Sequence, residues 1–274
     1  MNTLYMADLD GTLLNTSGEL SHYTLVTLNA LIERGLPFTV NTSRTPQSVM
    51  PVIKGLHLKL DAVLMNGSCF FDTEKKQINS LVLLQKPQAA AAISVCKSVG
   101  CEPFLFDFSA GDVNVLYSSA ESAASKKFIA ERKNYYREFL KTKSDDCRAA
   151  YIVCADSIDK LNRLHERLKS VAGISCSLFY GDNDREGLLE IYAEDAGKKN
   201  GAERFMKQHG FNSLVTFGDN LNDIEMLKFS DRAIAVANAK PEAIAAANEV
   251  IESCNDDAVA KWLLLEWARR PELY

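Results

Sequence analysis

Thr3-Leu4-Tyr5-Met6-Ala7-Asp8-Leu9-Asp10-Gly11-Thr12 is a short apolar run that ends abruptly in two carboxylates and a glycine. An apolar run of this length closed by a turn signal reads as a buried strand. Ser21 then precedes Leu25, Leu28, Leu31 and Ile32 at helical spacing, with Gly35 as the stop. Residues 36–41 read as a second strand, 46–54 as a short helix and 61–65 as a third strand. Strands alternating with helices of this length argue for a parallel sheet covered on both faces.

Beyond Asn66-Gly67 the alternation stops, and residues 69–71 and 78–84 read as neighbouring strands. A different subdomain begins near Leu83. It carries an Ala-rich helix over 87–99, strands near Phe104 and over 113–117, and a charged helical stretch around 122–140. A strand over 149–154 leads into a helix whose Ile158, Leu161, Leu164, Leu168 and Val171 share one face, and strands over 174–180 and 188–192 complete it. From Lys198 the alternation resumes. A helix with Ala202, Phe205 and Met206 is followed by a strand over 213–217, a helix over 223–229, residues 233–237, a helix over 241–248, Val250-Ile251 and a last helix through Trp262.

A chain of 274 residues is long for one core. The pattern divides it into an α/β core, a Rossmann-like parallel sheet built from 1–82 and 193–274, and an inserted α+β cap over 83–192. Hydrophobic residues at 47% and charged residues at 24% are an ordinary globular balance. A net charge of -5 gives no electrostatic reason to expect nucleic acid or an anionic membrane as partner, although a local site can still take a small anion. No basic start with a long apolar stretch precedes Asp8, and no segment reaches the roughly 18 apolar residues of a membrane span. Seven cysteines without a Cys-x-x-Cys pair read as free thiols, and four histidines without helical pairing make zinc a poor fit. The expectation is a soluble cytoplasmic protein.

Four short motifs carry chemistry. Asp8 and Asp10 stand where the first strand ends, and in open α/β sheets ligands bind beyond the carboxyl ends of the strands. Gly218-Asp219-Asn220, with Asn222-Asp223, follows another apolar strand in the same manner. Each alone also reads as a turn or a helix cap, with Asp219 or Asn220 as the cap. Together they converge if the strands are neighbours, and like charges 4 Å apart repel by about 4 kcal/mol at an effective dielectric near 20. Such a cluster calls for a cation, and oxygen ligands with room for water and phosphate favour Mg2+. A carboxylate beside such an ion is suited to attack a phosphate. Asn41-Thr42-Ser43-Arg44 offers hydroxyls and backbone N–H groups to an anion, or else a helix capped by Thr42 or Ser43. Lys198-Lys199 offers a cation ahead of an amphipathic helix, or else a solvated lysine pair.

In this order the four motifs closely resemble those of the haloacid dehalogenase superfamily of phosphohydrolases. Asp8-Leu9-Asp10-Gly11-Thr12-Leu13 is similar to its nucleophile motif, Thr42 to its second, Lys198 to its third and Gly218-Asp219-Asn220 with Asn222-Asp223 to its fourth. The insertion between the second and third looks like the C2 cap of the type IIB, Cof-like subfamily, as do Asn66-Gly67, Asn238-Ala239 and the stretch from Asn255 to Val259. The resemblance implies Mg2+-dependent hydrolysis of small phosphate monoesters, sugar phosphates foremost, through an aspartyl-phosphate. It implies Asp8 as nucleophile and Asp10 as acid and base. The metal would be held by Asp8, the Asp10 carbonyl and Asp219, with Asp223 direct or one step removed. Thr42, Ser43, Lys198 and Asn222 would meet the phosphoryl group, and the cap would select the substrate.

The sequence departs from the family pattern at Ser43, where glycine is usual, and at Lys199, which stands where a glycine follows the motif lysine. Lys198 is preferred because it puts Ala202, Phe205 and Gly210 where the family's helix falls. Ala258 replaces another usual glycine, with little effect expected. Arg44 is a candidate for a substrate's anionic end, and Arg148, Asp182, Asn183, Asp184 and Arg185 are weak candidates for substrate contact. Competing readings are a sugar-phosphate mutase and a catalytically idle binder of phosphorylated ligands.

Overall fold

The computed structural model describes residues 2–108, 113–135, 139–141 (backbone only), 149–181 and 185–269. Arg148, Asp182, Asn183, Asp184 and Cys147 lie outside them. Contacts divide the chain into a split unit, Met1–Ser80 with Lys198–Tyr274, and an inserted unit, Leu81–Gly197. The sequence reading set these limits at 82/83 and 192/193. The return falls later because Glu194 N donates to Gly173 O at 3.0 Å, tying the residues after the last inserted strand to that unit.

The chain opens with β1 (Thr3–Ala7), every residue of which is buried, as a central parallel strand requires. A wide turn over Leu9–Leu13 leads to α1 (His22–Glu33), which Ser21 caps by accepting from Thr24 N at 2.9 Å. β2 (Phe38–Val40) follows, then α2 (Pro46–Val52), opened by a Thr45–Ser48 capping box with Pro46 in its first turn. β3 (Ala62–Leu64), β4 (Cys69–Asp72) and β5 (Gln77–Leu81) form a three-stranded sheet in that order.

The inserted unit runs α3 (Lys86–Ser98), β6 (Pro103–Asp107), β7 (Asn114–Tyr117), α4 (Ala123–Arg132), β8 (Phe139–Lys141), β9 (Ala149–Ser157), α5 (Ile158–Leu168), β10 (Ile174–Tyr180) and β11 (Glu186–Ala193). Its sheet has the order β10-β11-β9-β6-β7-β8, antiparallel except at β7–β8. The helix expected around 122–140 ends at Arg132, and its last residues instead form β8, paired with β7. Pairing at a sheet edge overrides a local preference that the charged stretch expresses only weakly. One sheet face packs Leu105, Ile152, Cys154, Leu189 and Ile191 against Ala92 and Cys96 of α3 and Leu161, Leu164 and Leu168 of α5.

The chain then gives α6 (Lys198–His209), β12 (Ser213–Gly218), α7 (Ile224–Phe229), β13 (Arg232–Val236), α8 (Pro241–Ala246), β14 (Glu249–Ile251) and α9 (Ala258–Ala268). The parallel sheet of the split unit has the order β14-β13-β12-β1-β2. Leu4, Met6 and Leu214 pack against Ala202 and Phe205 of α6 and Met226 of α7, while Trp262 of α9 meets Phe217 edge-on at 5.3 Å. The order reverses at β1, whose chain neighbour β2 lies on one side and β12 on the other, and ligands bind at such switch points. Positive φ at the start of α9 falls on Asp257 (58°), so Ala258 bears no backbone strain. Asp257 also accepts from Thr24 Oγ1 at 2.9 Å and from Ser21 Oγ, joining α1 to α9.

Candidate active site

Register places the motifs together. Ala7 lies opposite both Phe217 and Val40, so Asp8, Asp219 and Thr42 emerge from three adjacent strands at the same edge of the sheet. Asp8 N donates to Phe217 O at 3.0 Å and Asn41 N to Ala7 O at 2.8 Å, extending the ladder to the brink of the site. Gly11 has φ +79°, and a Cβ on it would lie 2.5 Å from Asp219 Oδ2. The first motif turns back over the fourth only with glycine there.

Lys198 Nζ sits 2.7 Å from Asp8 Oδ1 and 2.6 Å from Asp223 Oδ1, with the three side chains 1%, 8% and 0% exposed. Asp223 Oδ2 accepts from Asp219 N at 3.1 Å and Asn220 N at 3.0 Å. Asp219 Oδ1 accepts from Thr12 Oγ1 at 2.8 Å. Carboxylate oxygens of Asp8, Asp219 and Asp223 all lie within 4.8 Å of one another. Asp223 has both oxygens committed to Lys198 and the loop, whereas the Oδ2 atoms of Asp8 and Asp219 accept no hydrogen bond from another described residue. Lys199 lies outside the cluster, 41% exposed and 3.4 Å from Glu203.

Thr42 is buried, its N–H donating to Val63 O at 3.0 Å and its Oγ1 accepting from Arg44 N at 3.3 Å. Ser43 follows, half-buried. Neither caps α2, because Thr45 does. Asn220 caps the turn Leu221–Asp223, so the fourth motif is both a cap and part of the cluster. Asn222 Nδ2 donates to Asn66 Oδ1 at 3.1 Å.

Sequence reasoning named no structural partner for Asp10. Arg44 forks it, Nε to Oδ2 at 2.7 Å and Nη2 to Oδ1 at 2.6 Å, while Nη1 reaches Ser48 O at 3.1 Å. It also left Asn66 and Asn238 out of the site. Asn238 Nδ2 donates to Gly11 O at 2.7 Å, and its Oδ1 accepts from Cys254 N at 2.8 Å, pinning the first motif to the chain ahead of α9. Two signals mark them in the sequence: both follow strand segments, and Asn66-Gly67 and Asn238-Ala239 look like the Cof-like subfamily.

Residues 5–263 match the haloacid dehalogenase-like hydrolase family. The chain belongs to that family. The hydrolase is 26% identical over 279 residues to HMP-PP phosphatase of Klebsiella pneumoniae, covering 100% of this chain and 98% of the relative. It is 22% identical over 276 residues to pyridoxal phosphate phosphatase YbhA of Escherichia coli, covering 93% and 95%. In fold it is similar to the subclass IIB sugar phosphatase BT4131, with TM-score 0.78, 18% identity and coverage of 96% and 98%.

Electrostatically the hydrolase's site is under-neutralised. Among the described residues three carboxylates, two buried and Asp219 half-buried, meet one ammonium, a formal excess of two negative charges. Burial, then Asp223 and Asp219, push the Asp8 carboxyl well above its ordinary value against the pull of Lys198. Burial and Asp223 push Asp219 up to about 6. Burial alone would lower the Lys198 ammonium, but Asp223 and Asp8 outweigh it and hold Lys198 above its ordinary value. A charged lysine among acids driven toward neutrality is an arrangement that a bound cation would relieve. The deficit of two charges and the all-oxygen donor set fit a hard divalent ion.

Proposed function

We propose that this hydrolase is a Mg2+-dependent phosphatase of small phosphate monoesters, sugar phosphates foremost, that works through an aspartyl-phosphate on Asp8. The observation that carries the reading is Lys198 Nζ held between Asp8 and Asp223 at 2.7 and 2.6 Å, inside a carboxylate cluster two charges short of neutrality. The phosphatase names of the two relatives support it.

Asp8 and Asp219, whose Oδ2 atoms accept no hydrogen bond from another described residue, would hold the metal with the Asp10 main-chain carbonyl, and Asp223 would act by fixing Lys198 and the Asp219 loop. Bound there, Mg2+ supplies Lewis-acid polarisation of the phosphate and screens it from the anionic nucleophile. Asp8 Oδ attacks phosphorus, and the leaving oxygen departs with a proton from Asp10. Water then attacks the phosphorus of the aspartyl-phosphate, giving its proton to Asp10 and releasing phosphate and free Asp8. Lys198 neutralises charge on nucleophile and phosphoryl oxygens, and Thr42, Ser43 and Asn222 orient the phosphoryl group. Arg44 forks Asp10 as a two-oxygen acceptor at rest, so the fork opens when Asp10 takes up from solvent the proton that it passes to the leaving oxygen, and closes again once that proton is gone. The inserted unit, expected at 83–192, selects the small phosphorylated metabolite. No helix among the described residues is long and apolar enough to cross a membrane, and six free thiols there suit the cytoplasm.

The test is phosphate release from a panel of sugar phosphates, nucleotides and pyridoxal phosphate with Mg2+, using Asp8→Asn protein as the blank. Release by the wild type alone supports the reading and ranks substrates. Absence of release across the panel, or equal release by the variant, overturns it.

A further inference from the structure

Asn41 follows β2 directly, one residue before Thr42, bridges to Val63 and is fully buried. Its backbone N–H donates to Ala7 O at 2.8 Å, immediately before Asp8. Its side-chain Nδ2 lies 2.9 Å from Lys198 O, 3.3 Å from Met6 Sδ and 3.3 Å from Met226 Sδ. All three neighbours are acceptors, which fixes the amide orientation: the NH2 must face them. The Oδ1 on the other side has no hydrogen-bond partner among the described residues. A buried carbonyl without a partner costs about 1–3 kcal/mol, so a leucine of similar size would be the better core residue if packing were all that mattered.

We propose that Asn41 is a positioning residue for Lys198: one side chain ties the first turn of α6 to the strand end that carries Asp8, and so sets where the Lys198 ammonium stands. Its main chain fixes Ala7 and its amide fixes the Lys198 carbonyl, so nucleophile and lysine are referred to a single residue. A second fixed point lies one turn along. A Cβ on Gly201 would come within 2.5 Å of Gly67 Cα, so α6 rests directly on the turn after β3. With both points held, α6 can neither slide nor roll, and Lys198 reaches Asp8 and Asp223 together.

The geometric inference is independent of the proposed chemistry, while its kinetic consequence rests on the phosphatase reading. Asn41→Leu keeps the volume and removes the donor, and Asn41→Ala removes both. Hydrogen exchange read by mass spectrometry should quicken about 10-fold in both variants, confined to the peptide covering the start of α6, with the thermal transition of Asn41→Leu within a few degrees of wild type. With p-nitrophenyl phosphate and Mg2+, kcat should fall about 10-fold or more in both, and KM should change far less, because a displaced lysine weakens the transition state more than binding. A role in packing alone would leave Asn41→Leu silent and impair only Asn41→Ala. That result, or unchanged exchange at α6, overturns the proposal. If the wild type itself proves inactive, the functional reading fails and the exchange measurement still decides the role of Asn41.

Discussion

In the split unit, the buried Asp8, Asp223 and Lys198 gather with the half-buried Asp219 at the carboxyl edge of a parallel sheet. In the inserted unit, whose sheet is largely antiparallel, the described buried polar groups sit in small separate contacts. Glu190 accepts from the Tyr151 hydroxyl, Ser177 Oγ lies 2.7 Å from Tyr192 Oη, and Lys160 reaches Asp156 at 2.8 Å. Two of its described thiols are held protonated: Cys154 lies 3.5 Å from Cys96, and that contact together with burial pushes it well above the ordinary range, while burial pushes Cys101 up to about 12. The difference follows from topology. Parallel strands all finish on one edge, so the residues after them pile up and their charges must be reconciled there. Antiparallel strands send alternate ends to opposite edges, and charge stays dispersed.

The contrast can be broken at its strongest point first. Asp8→Asn should lower phosphate release by about 10³-fold or more while the fold is retained, since the amide keeps the shape and loses the nucleophile. Residual turnover near wild type, followed by continuous phosphate assay, would place the chemistry elsewhere. Lys198→Ala leaves Asp8 and Asp223 buried without their cation and should cost about 3–5 kcal/mol in urea unfolding. A near-neutral result would mean that the cluster is not held by this pair. In the inserted unit, Leu164→Ala should cost about 2–5 kcal/mol through a cavity under α5. That loss should be independent of magnesium, and a loss that magnesium reverses would blur the distinction between the units.

A smaller effect concerns pH. With Asp219 raised to about 6, the folded chain holds a proton that the unfolded chain has lost. The stability contributed by this group is therefore present at low pH and lost as pH rises through about 6. Magnesium should raise the melting temperature more at about pH 7.5 than at about pH 5, because only the ionised cluster takes the ion. Equal shifts in differential scanning fluorimetry, or an unchanged response in Asp219→Asn, would remove Asp219 from the metal site. The smallest change is Lys199→Ala, which should alter stability by no more than about 0.5 kcal/mol and leave turnover unaltered. A large loss there would exchange the roles of the two lysines.

Much of this was legible in the sequence because it depends on neighbours along the chain. The apolar run into Asp8, the return of strand and helix after Lys198, and the glycine beside each acidic motif follow from local periodicity and turn chemistry. The strand at Phe139–Lys141 was hidden because a sheet edge, not the local residues, decided it. Periodicity along the chain determined an α/β core with an insertion, and the four motifs, through the family they resemble, pointed to a hydrolase whose clustered carboxylates call for a cation. The sequence already favoured Lys198 over Lys199, but only the tertiary structure decided that Lys198 lies between Asp8 and Asp223, that Arg44 forks Asp10, and that Asn41, Asn66 and Asn238 hold the motifs in place. The physical reason is sequence separation. Each of those contacts joins residues far apart in the chain, and nothing in either partner's own neighbourhood records the other.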